Sequence, residues 1–247
     1  MPEKASIITV TYNSKAMLGV TVESVLRQTF SGIEYLIIDG ASEDGTVELA
    51  ESYRRRMEEK GIDFRIVSEK DEGIYDAMNK GIRLATGGII GIINSGDWYE
   101  PDAVETAERE LRNNRCDLMF ADIRIHKADG ASFVKKARLR RFQTSRDWNH
   151  PTMFVRADVY KSHPFRCKGI HDDYGCYLQL KKEGFRVAAV DKILANFRMG
   201  GISNRKSLKE AVRRIRDRYR WCYRVNGYSR WYLAECVAIE AVKMLLG

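Results

Sequence analysis

The chain has 247 residues, 44% hydrophobic and 31% charged, with a formal net charge of +8; this balance excludes a mainly disordered chain. Four prolines and nineteen glycines exclude a collagen-like or low-complexity sequence, and no apolar run approaches the ~18 residues that span a bilayer. The N-terminus has no signal-peptide-like apolar stretch, and five scattered cysteines without a CxxC pair fit reduced thiols in a cytosolic protein.

Short apolar runs at Ser6–Val10, Tyr35–Ile38, Phe64–Val67, Ile89–Ile93 and Leu118–Phe120 read as strands ending in polar or turn residues. Helical spacing fills the gaps. Met17, Val20, Val25 and Leu26 share one face, then Val47, Leu49, Ala50 and Tyr53, then Ile74, Ala77, Met78 and Ile82. Ala103, Val104, Ala107 and Leu111 mark a fourth helix, which Pro101 is expected to open. Asp122 to Pro164 is less periodic and carries the basic run Lys135–Arg141. Val187–Val190 reads as a further strand, and Ser207–Tyr223 and Tyr228–Leu246 as helices. Near-continuous apolar strands alternating with helices predict an α/β fold, a largely parallel sheet covered on both faces.

In such sheets ligands bind beyond the carboxyl ends of the strands. The residues there are Thr11-Tyr12-Asn13, Asp39-Gly40, Glu69-Lys70-Asp71 and Asn94-Ser95-Gly96-Asp97. No GxGxxG or GxxxxGK[ST] follows the first strand, so no glycine loop is present to cradle phosphate. Carboxylates repel phosphate unless a divalent cation lies between them, and Asp97 is the first choice for its ligand.

Ser6–Asn13, Ile37–Thr46, Asp71–Gly81 and Asn94–Asp97 also occur in a recognisable order, followed by Gly169–Tyr174 and Phe197–Ser203. Together they resemble the nucleotide-sugar glycosyltransferases of family two, inverting enzymes with the GT-A fold. Within that family the set is most similar to bacterial transferases that build exopolysaccharide or lipid-linked surface glycans. The resemblance covers roughly residues 5–205. It implies a GT-A domain over 1–205, with a mostly parallel sheet between helices, and a helical extension over 206–247. It also implies a nucleotide-sugar donor and a Mg²⁺ or Mn²⁺ ion.

By that resemblance Tyr12 and Asp39 contact the nucleobase, and Thr11, Asp71, Asn79, Lys80 and Ser95 stand on the donor side. Asp97 holds the metal, although Asn94 and Gly96 occupy positions where the family often has acids. Asp173, the second acid of Asp172–Asp173, is the general base that takes the acceptor hydroxyl's proton. Arg198 clamps the diphosphate when the glycine-hinged loop after it closes. His150 and Asp172 lie towards the acceptor. Each residue also has a plainer reading: Asp39 as a turn residue, Asp97 as a helix cap, the acidic pair as helix-start acids, His150 as a core histidine.

Between Arg205 and Arg230 ten basic residues face two acids, so the chain's net charge resides there. The arginines interleave with Tyr219, Trp221, Tyr223, Tyr228, Trp231 and Tyr232 ahead of an apolar helix. Peripheral contact with an anionic membrane, packing on the core, and nucleic-acid binding all fit, the last least. A polyprenyl-diphosphate-linked glycan acceptor at the cytoplasmic membrane face would unite the membrane reading with the chemistry. The rivals are a sugar-phosphate nucleotidyltransferase and a non-enzymatic nucleic-acid module.

Overall fold

A computed structural model describes residues 4–199 and 207–246. Its first half alternates strand and helix: β1 (Ala5–Thr11), α1 (Lys15–Leu26), β2 (Ile33–Asp39), α2 (Thr46–Ser52), α3 (Arg54–Glu59), β3 (Asp63–Ser68), α4 (Ile74–Leu84) and β4 (Ile89–Ile92). The second half is more irregular. It contains β5 (Trp98–Tyr99), α5 (Ala103–Asn113), β6 (Leu118–His126), β7 (Ser132–Lys135), β8 (Phe154–Arg156), α6 (Ala157–Ser162), α7 (Asp172–Glu183) and β9 (Val187–Arg198). Then follow α8 (Leu208–Asp217), a π-helical turn over Arg218–Arg224, and α9 (Tyr232–Leu246).

The strands form one sheet in the order β3-β2-β1-β4-β8-β6-β9-β5, with β7 paired to β6. The first four are parallel, and their register brings Thr11 beside Asp39 and Asp39 beside Ser68 at one edge. Parallel pairing also joins β6 to β9 in the second half, so the sheet is mostly parallel as expected, with antiparallel members added there. β8 lies antiparallel to β4 and β6, and β5 antiparallel to β9. No helix crosses over between β6 and β8; the chain returns through β7 and the segment after it. Short runs such as Phe154–Arg156 and Trp98–Tyr99 lack a periodicity long enough to announce a strand.

Two apolar layers cover the sheet because alternate strand residues point to opposite faces. Leu36 and Ile38 pack with α4, α6 and α7, whereas Tyr35 and Ile37 pack with α1, α2, α3 and α5. Central β4 has a glycine where β8 crosses closest: a Cβ on Gly91 would lie 2.5 Å from the Phe154 ring. The helix expected to open at Pro101 begins at Ala103, with Asp102 at its N-cap. The Pro101 carbonyl instead accepts from Thr29 N at 2.9 Å, which ties it to the loop after α1.

The extension beyond residue 206 shares the main core. Cys222, Tyr223, Tyr232 and Cys236 are buried in the same cluster as the sheet and α7. Tyr223 stacks on Tyr232 at 4.2 Å, and Arg214 pairs with Glu240 at 2.8 Å in the interior. Arg218 contacts both Glu240 and His171, the residue just before α7. Arg213, Arg216, Arg220 and Arg224 remain at the surface. The expected boundary between residues 205 and 206 lies outside the described residues.

Candidate active site

The carboxyl ends of β1, β2 and β3 converge on Asp39. Its carboxylate is wholly buried and accepts from Thr11 Oγ1 at 2.9 Å, Ser42 N at 2.8 Å, Ser42 Oγ at 2.5 Å and Ser68 Oγ at 2.7 Å. Burial would raise its pKa, but these bonds, Ser42's foremost, outweigh burial and keep it ionised. Four donors fill the lone-pair sites of a carboxylate. Asp39 therefore ties the ends of β1, β2 and β3 together with its hydrogen bonds already filled. Tyr12 stands above it, 66% exposed. Gly40 lies between Tyr12 and Asp71: a Cβ there would sit 2.6 Å from Asp71 Oδ2 and 3.3 Å from the Tyr12 ring. Tyr12 and Asp71 thus close on the backbone next to Asp39, and a side chain at position 40 would clash with them.

Asp97 lies at the next strand end, held by a tight turn. Its N–H donates to the Asn94 carbonyl at 3.1 Å, and Gly96 adopts a φ of 97°, which favours glycine. Thr21 of α1 grips the turn, accepting from Gly96 N at 2.9 Å and donating to the Asp97 carbonyl at 2.7 Å. That backbone requirement explains a glycine where the family often has an acid. The Asp97 carboxyl is 4% exposed and accepts from Arg198 N at 3.2 Å. Burial raises its pKa to about 7, against the smaller opposing effects of that N–H and the Arg198 charge.

A divalent cation fits this place. The carboxylate is insufficiently compensated, and Asn94 Oδ1 and Ser95 Oγ beside it are buried without a hydrogen-bond partner among the described residues. No described group of three His, Cys, Asp or Glu side chains could hold a metal, so Asp97 would be its protein carboxylate, with donor oxygens and water completing the shell. Arg198 extends over the Trp98 ring, 5.7 Å from its centroid. The glycines expected to hinge its loop, Gly200 and Gly201, lie outside the described residues.

Asp173 opens α7. Its Oδ1 accepts from Tyr75 Oη at 3.0 Å and Tyr174 N at 2.8 Å. Tyr75 stands in the first turn of α4, straight after the loop that carries Asp71, so Asp173 joins the same rim. Its Oδ2 faces His150 Nδ1 at 3.6 Å. Burial lowers the His150 pKa more than Asp173 raises it, and neither ring nitrogen has a hydrogen-bond partner among the described residues. A neutral imidazole therefore stands beside the carboxylate.

The acidic pair divides its work. Asp172 is buried and accepts from Lys168 N at 2.6 Å and Gly169 N at 3.0 Å, which fastens the turn before α7. Asn79 departs from its expected donor-side place. Its amide is buried, donating to the Phe165 carbonyl and accepting from Phe165 N, both at 2.9 Å. Lys80 likewise donates to the Lys70 carbonyl at 2.7 Å and pairs with Glu69 at 3.1 Å, bracing the loop that ends in Asp71. Ser42, Ser68 and Tyr75 were not singled out in the sequence. Their roles depend on strand register and on a contact across 98 residues, which no local pattern reveals.

Comparison with known proteins identifies the family and the fold. The model of the family described as Glycosyl transferase family 2 matches residues 6–173. A PGL/p-HBAD biosynthesis glycosyltransferase of Mycobacterium bovis is 30% identical over 160 residues, 63% of this chain and 60% of the relative. The chain thus spans less than two thirds of that relative. The putative teichuronic acid biosynthesis glycosyltransferase TuaG of Bacillus subtilis is 25% identical over 98% of this chain and 97% of its own. Among solved structures, the mannosyltransferase PcManGT of Pyrobaculum calidifontis, in complex with GDP-Man and Mn²⁺, superposes with a TM-score of 0.70 at 15% identity. That match covers 99% of this chain and 71% of the mannosyltransferase. S. aureus TarS in complex with UDP-GlcNAc gives 0.64 at 16% identity, covering 97% and 72%. At such identities the likeness shows the fold alone, and that fold is GT-A.

Proposed function

The chain belongs to glycosyl transferase family 2, and from that premise we propose that it moves a sugar from a nucleotide-sugar donor to a glycan hydroxyl, inverting the anomeric carbon. The observation that supports this reading is the common rim. Tyr12, Asp71 and Asp97, a buried carboxylate short of counter-charge, follow the carboxyl ends of β1, β3 and β4. Tyr75 in the first turn of α4 ties Asp173, whose Oδ2 accepts no hydrogen bond among the described residues, to the loop after Asp71.

The nucleobase stacks on Tyr12, with the Asp39 hydroxyl network beneath it. Asp97 and the orphaned Asn94 and Ser95 oxygens would hold a Mg²⁺ or Mn²⁺ ion, whose charge would offset that of the diphosphate leaving group. Arg198 adds a forked cation to that diphosphate. Tyr75 fixes Asp173 through Oδ1, so Oδ2 takes the proton from the attacking hydroxyl, and His150 shields it on the acceptor side. The acceptor is a growing surface glycan on a polyprenyl diphosphate at the inner face of the cytoplasmic membrane.

The outward face of α9 fits that location. Leu233, Val237 and Met244 are exposed along one face, with Trp231 just before them at 79% exposure and the exposed Arg230 beside it. An apolar helix face edged by cations suits an anionic bilayer surface. No described helix is long and apolar enough to cross a membrane.

The decisive experiment is Asp173→Asn, assayed for transfer and, separately, for thermal stabilisation by nucleoside diphosphate with Mn²⁺. Transfer should fall by about 10³-fold or more while ligand stabilisation persists. Turnover near the parent rate removes Asp173 from the mechanism.

A further inference from the structure

The segment between β7 and His150 is unused by the mechanism above. It runs extended to Arg140, then bends and turns over residues 144–147, and its even-numbered residues with Asp147 line a groove of about 660 Å³. Lys136, Arg138, Arg140 and Arg146 supply four cations to it, Asp147 one carboxylate, and Phe142 an exposed ring. Two of the cations are already partnered. Arg140 pairs with Asp147 at 3.2 Å, and Lys136 bonds Asp122 at 2.8 Å and Asp191 at 2.5 Å. Arg138 and Arg146 have no carboxylate within ion-pair distance among the described residues. Two unneutralised guanidinium forks in one concavity match the oxygens of a phosphate pair better than those of a lone carboxylate.

The surroundings specify the rest of the ligand. Phe142 stacks face to face on Tyr232, the first residue of α9, with ring centroids 4.3 Å apart and planes 5° apart. The basic groove therefore abuts the helix whose outward face is apolar. On its other side the same segment reaches the reaction centre. The Gln143 carbonyl accepts from Tyr174 Oη at 3.4 Å, and Tyr174 follows Asp173 directly. The segment ends at His150, which faces Asp173.

We propose that the groove lined by Lys136, Arg138, Arg140 and Arg146 seats the diphosphate of a membrane-embedded polyprenyl-diphosphate acceptor. The isoprenoid leaves along Phe142 towards α9, and the glycan end turns towards Asp173. The proposal rests on the lipid-linked reading of the acceptor, and it assigns that acceptor a charged seat separate from the donor's diphosphate at Asp97.

The test uses the full chain, the double substitution Arg138→Ala with Arg146→Ala, and vesicle flotation. Phosphatidylcholine vesicles carry either a polyprenyl diphosphate or an equal charge of phosphatidylglycerol, with inorganic pyrophosphate as soluble competitor. The parent chain should prefer the diphosphate vesicles, and pyrophosphate should displace it. The double variant should lose that preference by about tenfold or more, as expected when two charge-assisted contacts vanish. Its binding to phosphatidylglycerol vesicles and its stabilisation by nucleoside diphosphate with Mn²⁺ should stay unchanged. A variant that keeps the preference overturns the proposal, as does one that loses both vesicle types equally, since the groove is then a general basic surface. If the parent binds neither vesicle but pyrophosphate stabilises it and not the variant, the groove stands and the membrane reading falls. Absence of pyrophosphate stabilisation as well overturns the groove too.

Discussion

Replacing Asp97 by asparagine should make the ligand-free protein more stable and blind to metal. In the folded chain burial raises this carboxyl from its ordinary 3.8 to about 7. The ionised form is therefore disfavoured by folding, and the stability associated with the protonated form is complete below pH ~4 and lost as pH rises to about 7. A displacement of about three pH units corresponds to as much as ~4 kcal/mol at neutral pH and above. Asparagine has nearly the same shape and does not titrate. The gap between Asp97→Asn and the parent should thus open from pH 4 to pH 7 and then stay level. For a chain of this length each kcal/mol is worth roughly 2–4 °C, so the melting temperature should rise by several degrees. Urea melts of both proteins across that pH range measure the gap. Nucleoside diphosphate with Mn²⁺ should then stabilise the parent alone, more strongly at pH 8 than at pH 6, because the metal competes with a proton. A variant less stable than its parent at pH 8, or one still stabilised by Mn²⁺ to the same extent, would refute the reasoning.

Other residues give sharper, narrower outcomes. Tyr12→Ala should leave the melting temperature unchanged, since the ring is mostly exposed, and weaken nucleoside diphosphate binding by roughly tenfold to a hundredfold in calorimetry. Glu34 is buried in the sheet; burial works against its charge, but bonds from Ser6, Thr86 and Arg65 prevail and hold its pKa near 2. Its contribution should be present above pH ~4.5 and lost as pH falls towards 2, so Glu34→Gln should flatten up to ~3 kcal/mol of acid sensitivity in denaturant melts. Gly91→Ala drives a methyl into the Phe154 ring and should cost about 1–3 kcal/mol, read as a lower urea midpoint.

The first four strands were visible in the sequence because each is an apolar run closed by a polar residue, and parallel pairing then fixes which ends gather. Thr11, Asp39 and Asp97 could be placed from that rule together with the family resemblance. Contacts that depend on distant register could not. Nothing near Asn79 signals that its amide clasps Phe165, 86 residues away. Tyr75 looks like any core aromatic until α7 brings Asp173 to it. The arginines of the extension read as one basic run, yet Arg214 and Arg218 turn inward to Glu240. A helix of mean composition does not declare which of its charges have a buried partner. Likewise β5, β7 and β8 are two to four residues long, too short for alternation to stand out from a loop.

The buried link from Glu240 through Arg218 to His171 has a practical bearing on how the last forty residues can be probed. Trp221 covers the Gly169 turn, and a Cβ on Gly175 would lie 3.2 Å from its carbonyl, so the tail packs against the start of the helix that bears Asp173. Cutting the chain before Leu208 would strip that packing and take away the Tyr223 ring and hydroxyl that pack against Tyr174. A shortened protein that no longer transfers sugar would then report a collapsed catalytic corner, not a lost grip on lipid. Serine at Trp231 and Val237, which are exposed at the surface, separates the two.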